Sequence, residues 1–295
     1  MKTTTEAFET FRQRLELSPT EADDARRRHK DVRDEIKAVF DIEGDFLTGS
    51  YARHTKTKPL KDVDIFFPLV GESKKKWREK APSAVLDAFE DCLGKAYGKD
   101  AVERGRRCVT VTFDKKNPTV TGDGKVLSID AVPAIALSDC YEIADGHLGR
   151  WIKSNPEVHA AESTAKNRSL DGQWVPLVKM LKAWNRHAGK PIEPSFLVEV
   201  MAQGLVDGPF TSYPSEARRF FAAALDGINQ DWPDPAGYGP PVSDQMTGEK
   251  RTTAAAALRK AEVDATRAVR LEKEGRQGEA LALWRDILGR YFPST

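Results

Sequence analysis

The sequence predicts an α+β fold, a strand-containing N-terminal lobe followed by a helical lobe, and three observations predict it. Four runs of strong β-formers fall between helical stretches in the first half of the chain. Beyond Cys140 the apolar residues recur almost wholly at helical spacing. A Pro/Gly-rich connection over residues 231–241 interrupts that helical half. The expected division is residues 1–140 and residues 141–295, with the first helix placed to bridge both.

The elements follow in order. The first forty residues read as helix: Leu17-Ser-Pro-Thr-Glu21 is an N-cap and first-turn signal, and Val32, Ile36, Val39 and Phe40 recur at helical spacing. Phe46-Leu47-Thr48-Gly49-Ser50 reads as a short strand running into a Gly-Ser turn, with a helical start at Tyr51. A second strand covers residues 63–70 and ends at Gly71, before Lys74-Lys75-Lys76, which reads as a solvated loop. Helix returns over 83–97. Strands over 106–113 and 126–135 follow, joined by the turn-rich Asn117-Pro118 and Gly122-Asp-Gly124 segment. The helical half is expected over 175–187, 195–205, 215–228, 250–274 and 277–291, with Trp151, Trp174 and Trp184 as packing anchors.

Composition narrows the function. At 295 residues, 40% hydrophobic and 31% charged, the chain suits one large domain or two lobes sharing a core. A net charge of +1 offers no global basic field, so no long nucleic acid is expected as a partner, whereas a small charged ligand needs only a local site. Cys92, Cys108 and Cys140 form no CxxC pair, and no histidine falls at zinc-ligand spacing with them. Cys108 reads as a buried strand thiol. No apolar leader or membrane-length run is present, so the expected setting is the cytoplasm, away from membranes.

The chemistry concentrates in the first lobe. Asp62-Val63-Asp64 opens a strand, and alternation places both carboxylates on one face. Asp130, between Ile129 and Ala131 on another strand, needs a partner or a metal, because strand interiors disfavour aspartate. Three such carboxylates can hold two Mg²⁺ ions, with Mn²⁺ as a substitute, across an attacking hydroxyl and a transferred phosphoryl group. Gly49-Ser50, twelve residues before Asp62, offers close backbone approach, N–H groups and a hydroxyl to a triphosphate. A lone Gly-Ser or Asp-x-Asp is common; the ordered set, with the third acid about sixty-five residues on, is far harder to obtain by accident. Arg53, Lys56, Lys58 and Lys61 lie between the turn and the acids. Nucleotide attraction, charge balance and a solvated loop all remain open for them. His54 ranks at best as a nucleobase or outer contact, since a metal-activated hydroxyl needs no histidine.

Gly49-Ser50-Tyr51-Ala52-Arg53-His54-Thr55 followed by Asp62-Val63-Asp64-Ile65 resembles the DNA polymerase β-like nucleotidyltransferases, and within them the bacterial cGAS/DncV-like enzymes (CD-NTases). Asp130-Ala-Val-Pro-Ala134 is similar to the family's third-acid strand. Leu177-Val-Lys-Met-Leu-Lys-Ala-Trp-Asn185, Pro194-Ser-Phe-Leu-Val-Glu199 and Trp284-Arg-Asp-Ile-Leu-Gly-Arg-Tyr-Phe-Pro293 resemble its later helices. The resemblance implies a polymerase β-like lobe with a mixed sheet, a C-terminal helical lobe and an active site in the cleft between them. It implies Asp62, Asp64 and Asp130 as catalytic metal ligands, and Gly49 and Ser50 as phosphate-binding residues. Lys182 and Ser195 then become nucleotide contacts, with Lys179 a poorer candidate; without the resemblance both would read as ordinary helix residues.

The implied activity is synthesis of a cyclic di- or trinucleotide messenger from nucleoside triphosphates, with release of pyrophosphate, in bacterial antiphage signalling. A product-activated effector and a regulatory protein partner come with the family. The absence of a Cys/His cluster separates the chain from the animal DNA sensor. The rivals are a transferase acting on an RNA end or a protein, a maker of linear oligonucleotides, and a catalytically silent scaffold, against which the complete acidic triad argues.

Overall fold

The computed structural model describes residues 2–58, 60, 62–113 and 127–294. Asn117-Pro118, the Gly122-Asp-Gly124 turn and Lys61 lie outside the described residues. The chain forms two compact units, one of residues Leu17–Ala160 and one of Met1–Glu16 with Ala161–Thr295.

The first unit is built on a mixed sheet. Its elements are α2 (Pro19–Lys37), β1 (Phe46–Leu47), α3 (Gly49–Ala52), β2 (Asp62–Leu69), α4 (Gly71–Arg78), α5 (Pro82–Tyr97), β3 (Val102–Arg104), β4 (Val109–Phe113), β5 (Leu127–Ala136), β6 (Tyr141–Asp145) and β7 (Arg150–Ser154). The main path runs β1-β2-β5-β4-β3, with β6 pairing β5 and β7. Among the described residues only β2 and β5 are parallel; the other pairs are antiparallel. The ten-residue β5 serves two partners on one edge, β4 beside its first half and β6 beside its last three residues.

Strand alternation sorts the two faces of this sheet. Val63, Ile65, Phe67 and Leu69 of β2, Val109, Val111 and Phe113 of β4, and Ile129 and Ala131 of β5 share a core with Val32 and Ile36 of α2 and Val85, Leu86, Phe89 and Leu93 of α5. The residues between them point to the other face, which carries the acids. Capping starts α2: the Ser18 side chain accepts from the N–H of Glu21, and the Glu21 carboxylate accepts from the N–H of Ser18.

The second unit holds α1 (Thr4–Arg14), α7 (Trp174–His187), α8 (Ser195–Leu205), α9 (Tyr213–Gly227), α10 (Gly248–Lys273) and α11 (Gln277–Leu288); α6 (Pro156–Ser169) begins in the first unit and ends in this one. Its core joins α1 to the chain's end: Phe8 meets Trp284 edge-on at 4.9 Å and Phe292 at 5.1 Å. Trp174 and Trp184 are buried in the same core, as expected of packing anchors.

Several expectations need correction. The segment after Cys140 is not yet helical, because Tyr141–Asp145 and Arg150–Ser154 form a hairpin that extends the sheet beyond residue 140. The first helix is two, α1 and α2, which fall in different units. Lys74, Lys75 and Lys76 lie on α4 rather than in a loop, where Lys75 pairs with Glu72, Lys74 donates to the carbonyl of Ala136 at 2.9 Å, and buried Trp77 anchors the helix. Cys108 sits in a bend just ahead of β4 and is only half-buried.

Candidate active site

The acids lie on the sheet face away from α2 and α5, in an order dictated by register. Asp64 of β2 pairs with Asp130 of β5, and Asp130 pairs in turn with Thr110 of β4. Paired residues point the same way, so Asp64, Asp130 and Thr110 form one rung across three strands. The next rung holds Asp62, Ser128 and Thr112. On the opposite side Phe66 and Val132 are paired, and Cys108 packs against them. The polar rungs thus end against an apolar floor.

The Gly-Ser segment reaches the same rung through the backbone. The Thr48 N–H donates to the carbonyl of Asp64 at 2.9 Å, so β1 delivers the chain to the acid strand. Gly49 then opens α3 with φ +60°, and a Cβ added there would lie 1.7 Å from Asp64 Oδ2. Only glycine fits both demands. Ser50 follows, half-buried, with its carbonyl accepting from the N–H groups of Thr55 and Lys56.

The basic segment is tied down. Arg53 is buried, the Lys56 ammonium lies 3.6 Å from the centre of the Tyr51 ring, and Lys58 lies 3.6 Å from the buried carboxylate of Glu21. A loose solvated loop is therefore excluded for these three residues. His54 is exposed at φ +60°.

Electrostatics mark Asp130 as unusual. Burial first, and then the charge of Asp62, push its carboxyl up to about 6 against an opposing hydrogen bond from Thr110. The Thr110 hydroxyl donates to Asp130 Oδ1 at 2.6 Å. Desolvation, followed by the charges of Asp130 and Asp64, likewise pushes the Cys108 thiol up.

The donor chemistry fits a hard divalent cation. Three carboxylates occupy two adjacent rungs and offer oxygen alone. Among the described residues, no three His, Cys, Asp or Glu side chains close to ligating distance. A doubly charged cation would offset the repulsion that keeps such groups apart.

Lys182 and Ser195 lie in the helical unit. Lys182 is buried on α7 and paired at 2.9 Å with buried Glu199 of α8. Ser195 is the exposed first residue of α8. Lys179 pairs with Glu16 at 2.7 Å.

Sequence reasoning missed three features. Thr110 was hidden in the alternating Val109-Thr-Val-Thr-Phe113 run, whose two threonines face the acids once register is known. Glu21, whose carboxylate pairs with Lys58 and lies 3.5 Å from the Leu60 N–H, was legible only as a helix start. Asp145, fully buried, accepts from the Nε groups of Arg106 and Arg107 and from the N–H groups of His147 and Leu148. Burial would raise its carboxyl, but those donors hold it well below the usual carboxylate range.

The chain is similar to several known proteins. The model of the Second Messenger Oligonucleotide or Dinucleotide Synthetase domain matches residues 1–167. The cyclic AMP-AMP-AMP synthase of Acinetobacter sp. (strain ATCC 27244 / 9458) is 28% identical over 320 residues, covering 99% of this chain and 86% of that protein. Among solved structures, CdnC of E. coli MS115-1, in complex with HORMA-deltaN, is similar with a TM-score of 0.71 and 20% identity over 98% of each chain. The CD-NTase CdnG of Bradyrhizobium diazoefficiens, bound to GTP, has a TM-score of 0.72 and 17% identity, covering 97% of this chain and 95% of that one.

The mixed sheet and the helices around it share the fold of these CD-NTase structures. The chain belongs to the Second Messenger Oligonucleotide or Dinucleotide Synthetase family, the CD-NTases, whose members are cyclic oligonucleotide synthases. No helix among the described residues is long and apolar enough to cross a membrane.

Proposed function

We propose that this enzyme joins nucleoside triphosphates, ATP among them, into a cyclic di- or trinucleotide with release of pyrophosphate, using Asp62, Asp64 and Asp130 as its catalytic acids. The observation that carries the assignment is the shared rung of Asp64 and Asp130 with Gly49 set against it. ATP as a substrate is supported by the likeness to a cyclic AMP-AMP-AMP synthase over almost the whole chain.

Asp62, Asp64 and Asp130 would hold two Mg²⁺ ions, or Mn²⁺ in their place, which would supply charge neutralisation at the transferred phosphoryl group and activation of the attacking ribose hydroxyl. The chain's own residues orient the reactants. Gly49 and Ser50 open α3, where backbone N–H groups lack intrahelical acceptors, and with the Ser50 hydroxyl they bind the β- and γ-phosphates. Lys182 and Ser195 add phosphate contacts from the helical unit. A ribose 2′- or 3′-hydroxyl then attacks the α-phosphate in line, the P–O bond to pyrophosphate breaks, and the linear product rebinds until a last transfer of the same kind, second for a dinucleotide and third for a trinucleotide, closes the ring.

The proposal includes the cytoplasm as the setting, and antiphage signalling through a product-activated effector as the context. A regulatory protein partner is supported by the CdnC complex with HORMA-deltaN.

The test is incubation with four radiolabelled nucleoside triphosphates and Mg²⁺ or Mn²⁺, followed by phosphatase and chromatography. A phosphatase-resistant product incorporating label from ATP is expected. Label that remains phosphatase-sensitive, or that appears in RNA or protein, would contradict it.

A further inference from the structure

The third acid is held by a neighbour that no part of the assignment above uses. Thr110 stands directly opposite Asp130 in the β4–β5 ladder, and its hydroxyl donates to Oδ1 at 2.6 Å. A bond that short to a carboxylate is of the charge-assisted kind. Threonine is branched at Cβ, so in a strand its χ1 is restricted and the hydroxyl is held in place.

Asp130 needs such a tether because its surroundings push it away from the other acids. Asp64 is its partner on the same rung and Asp62 stands one rung along. Without a donor on the β4 side, like-charge repulsion would turn the carboxylate out of line with both.

We propose that Thr110 is a positioning residue: its hydroxyl ties one oxygen of Asp130, so that the other oxygen alone is presented to a divalent cation shared with Asp62 and Asp64. The inference rests on the metal role assigned to those three acids. Removing an outer partner of this kind typically costs about 10–100-fold in metal affinity or activity.

The experiment compares wild type with Thr110→Val, Thr110→Ser and Asp130→Asn, using Mn²⁺ as the probe. Free Mn²⁺ is read by electron paramagnetic resonance in the presence of a non-hydrolysable ATP analogue, and folding by thermal melting. Thr110→Val should weaken Mn²⁺ binding about tenfold and raise the Mg²⁺ concentration for half-maximal turnover to match. Its kcat at moderate Mg²⁺ should fall while KM for the triphosphate barely moves. Thr110→Ser, which keeps the hydroxyl, should stay within about threefold of wild type, a residual loss reflecting serine's freer χ1. Should valine disturb the strand, Thr110→Ala repeats the deletion with less bulk.

Wild-type Mn²⁺ affinity in a folded Thr110→Val or Thr110→Ala protein would overturn the proposal. So would a serine variant as impaired as the valine one, which would point to packing instead of the hydroxyl. If Asp130→Asn itself binds Mn²⁺ and turns over like wild type, the assignment of the acids fails, and this inference fails with it.

Discussion

Gly49 lies against the carboxylate of Asp64 so closely that a methyl group in place of its hydrogen would sit 1.7 Å from Oδ2 and 2.5 Å from Cγ. The glycine also adopts φ +60°, which a side chain disfavours. The Gly-Ser segment and the acid strand are thus one fitted unit: the residue that opens the turn is shaped by the acid it faces.

Gly49→Ala should therefore displace either the Asp64 side chain or the turn. We expect a loss of turnover of at least about 100-fold, the scale reached when a catalytic group moves by about 1 Å. Stability should fall by roughly 1 kcal/mol or more, as for alanine at a positive φ. Pyrophosphate release and thermal melting measure the two, and a variant with near-native turnover would show that the contact is incidental.

Lys182 is bound into the structure before any substrate arrives, through buried Glu199. Lys182→Met leaves that carboxylate without its partner and should cost about 3–5 kcal/mol. The double variant Lys182→Met/Glu199→Leu should regain most of the lost melting temperature, since apolar replacement of a buried pair is often neutral. If Lys182 contacts the triphosphate, turnover stays low in the stable double variant and KM for ATP rises. Recovery of turnover along with stability would assign the lysine a purely structural role.

Asp145 ties the β6–β7 turn to Arg106 and Arg107. Its carboxyl is depressed in the folded state, so the stability it contributes is present above the unfolded value, about 3.9, and is lost as pH falls below it towards the depressed value. Asp145→Asn should cost about 3–5 kcal/mol at pH 7, and the gap to wild type should narrow below about pH 4. Denaturant unfolding at pH 7 and pH 3.5 measures it. A gap that is constant with pH would remove the charge from the explanation.

Legibility in the sequence followed the range of the physics involved. Asp62 and Asp64 were readable because strand alternation is local, and Asp130 because an acid between Ile129 and Ala131 contradicts its own strand. Thr110 was not, since its role depends on β4 falling into register with β5. The hairpin of β6 and β7 was passed over although Gly146 and Gly149 punctuate two short alternating runs, because five-residue strands give a weak period beside the long helices that follow. Lys74, Lys75 and Lys76 suggested solvent, yet their helix is decided by a single buried neighbour, Trp77. The pairing of Lys182 with Glu199 joins two helices and could not be read from either.

Pyrophosphate release by the Asp62→Asn/Asp64→Asn double variant tests the catalytic assignment most directly. Asparagine keeps the size and shape of each side chain while removing the charge, so the melting temperature should stay at or above that of wild type. Release from ATP and Mg²⁺ should fall to background. Pyrophosphate release at the wild-type rate from the folded double variant would contradict a reaction centred on Asp62 and Asp64.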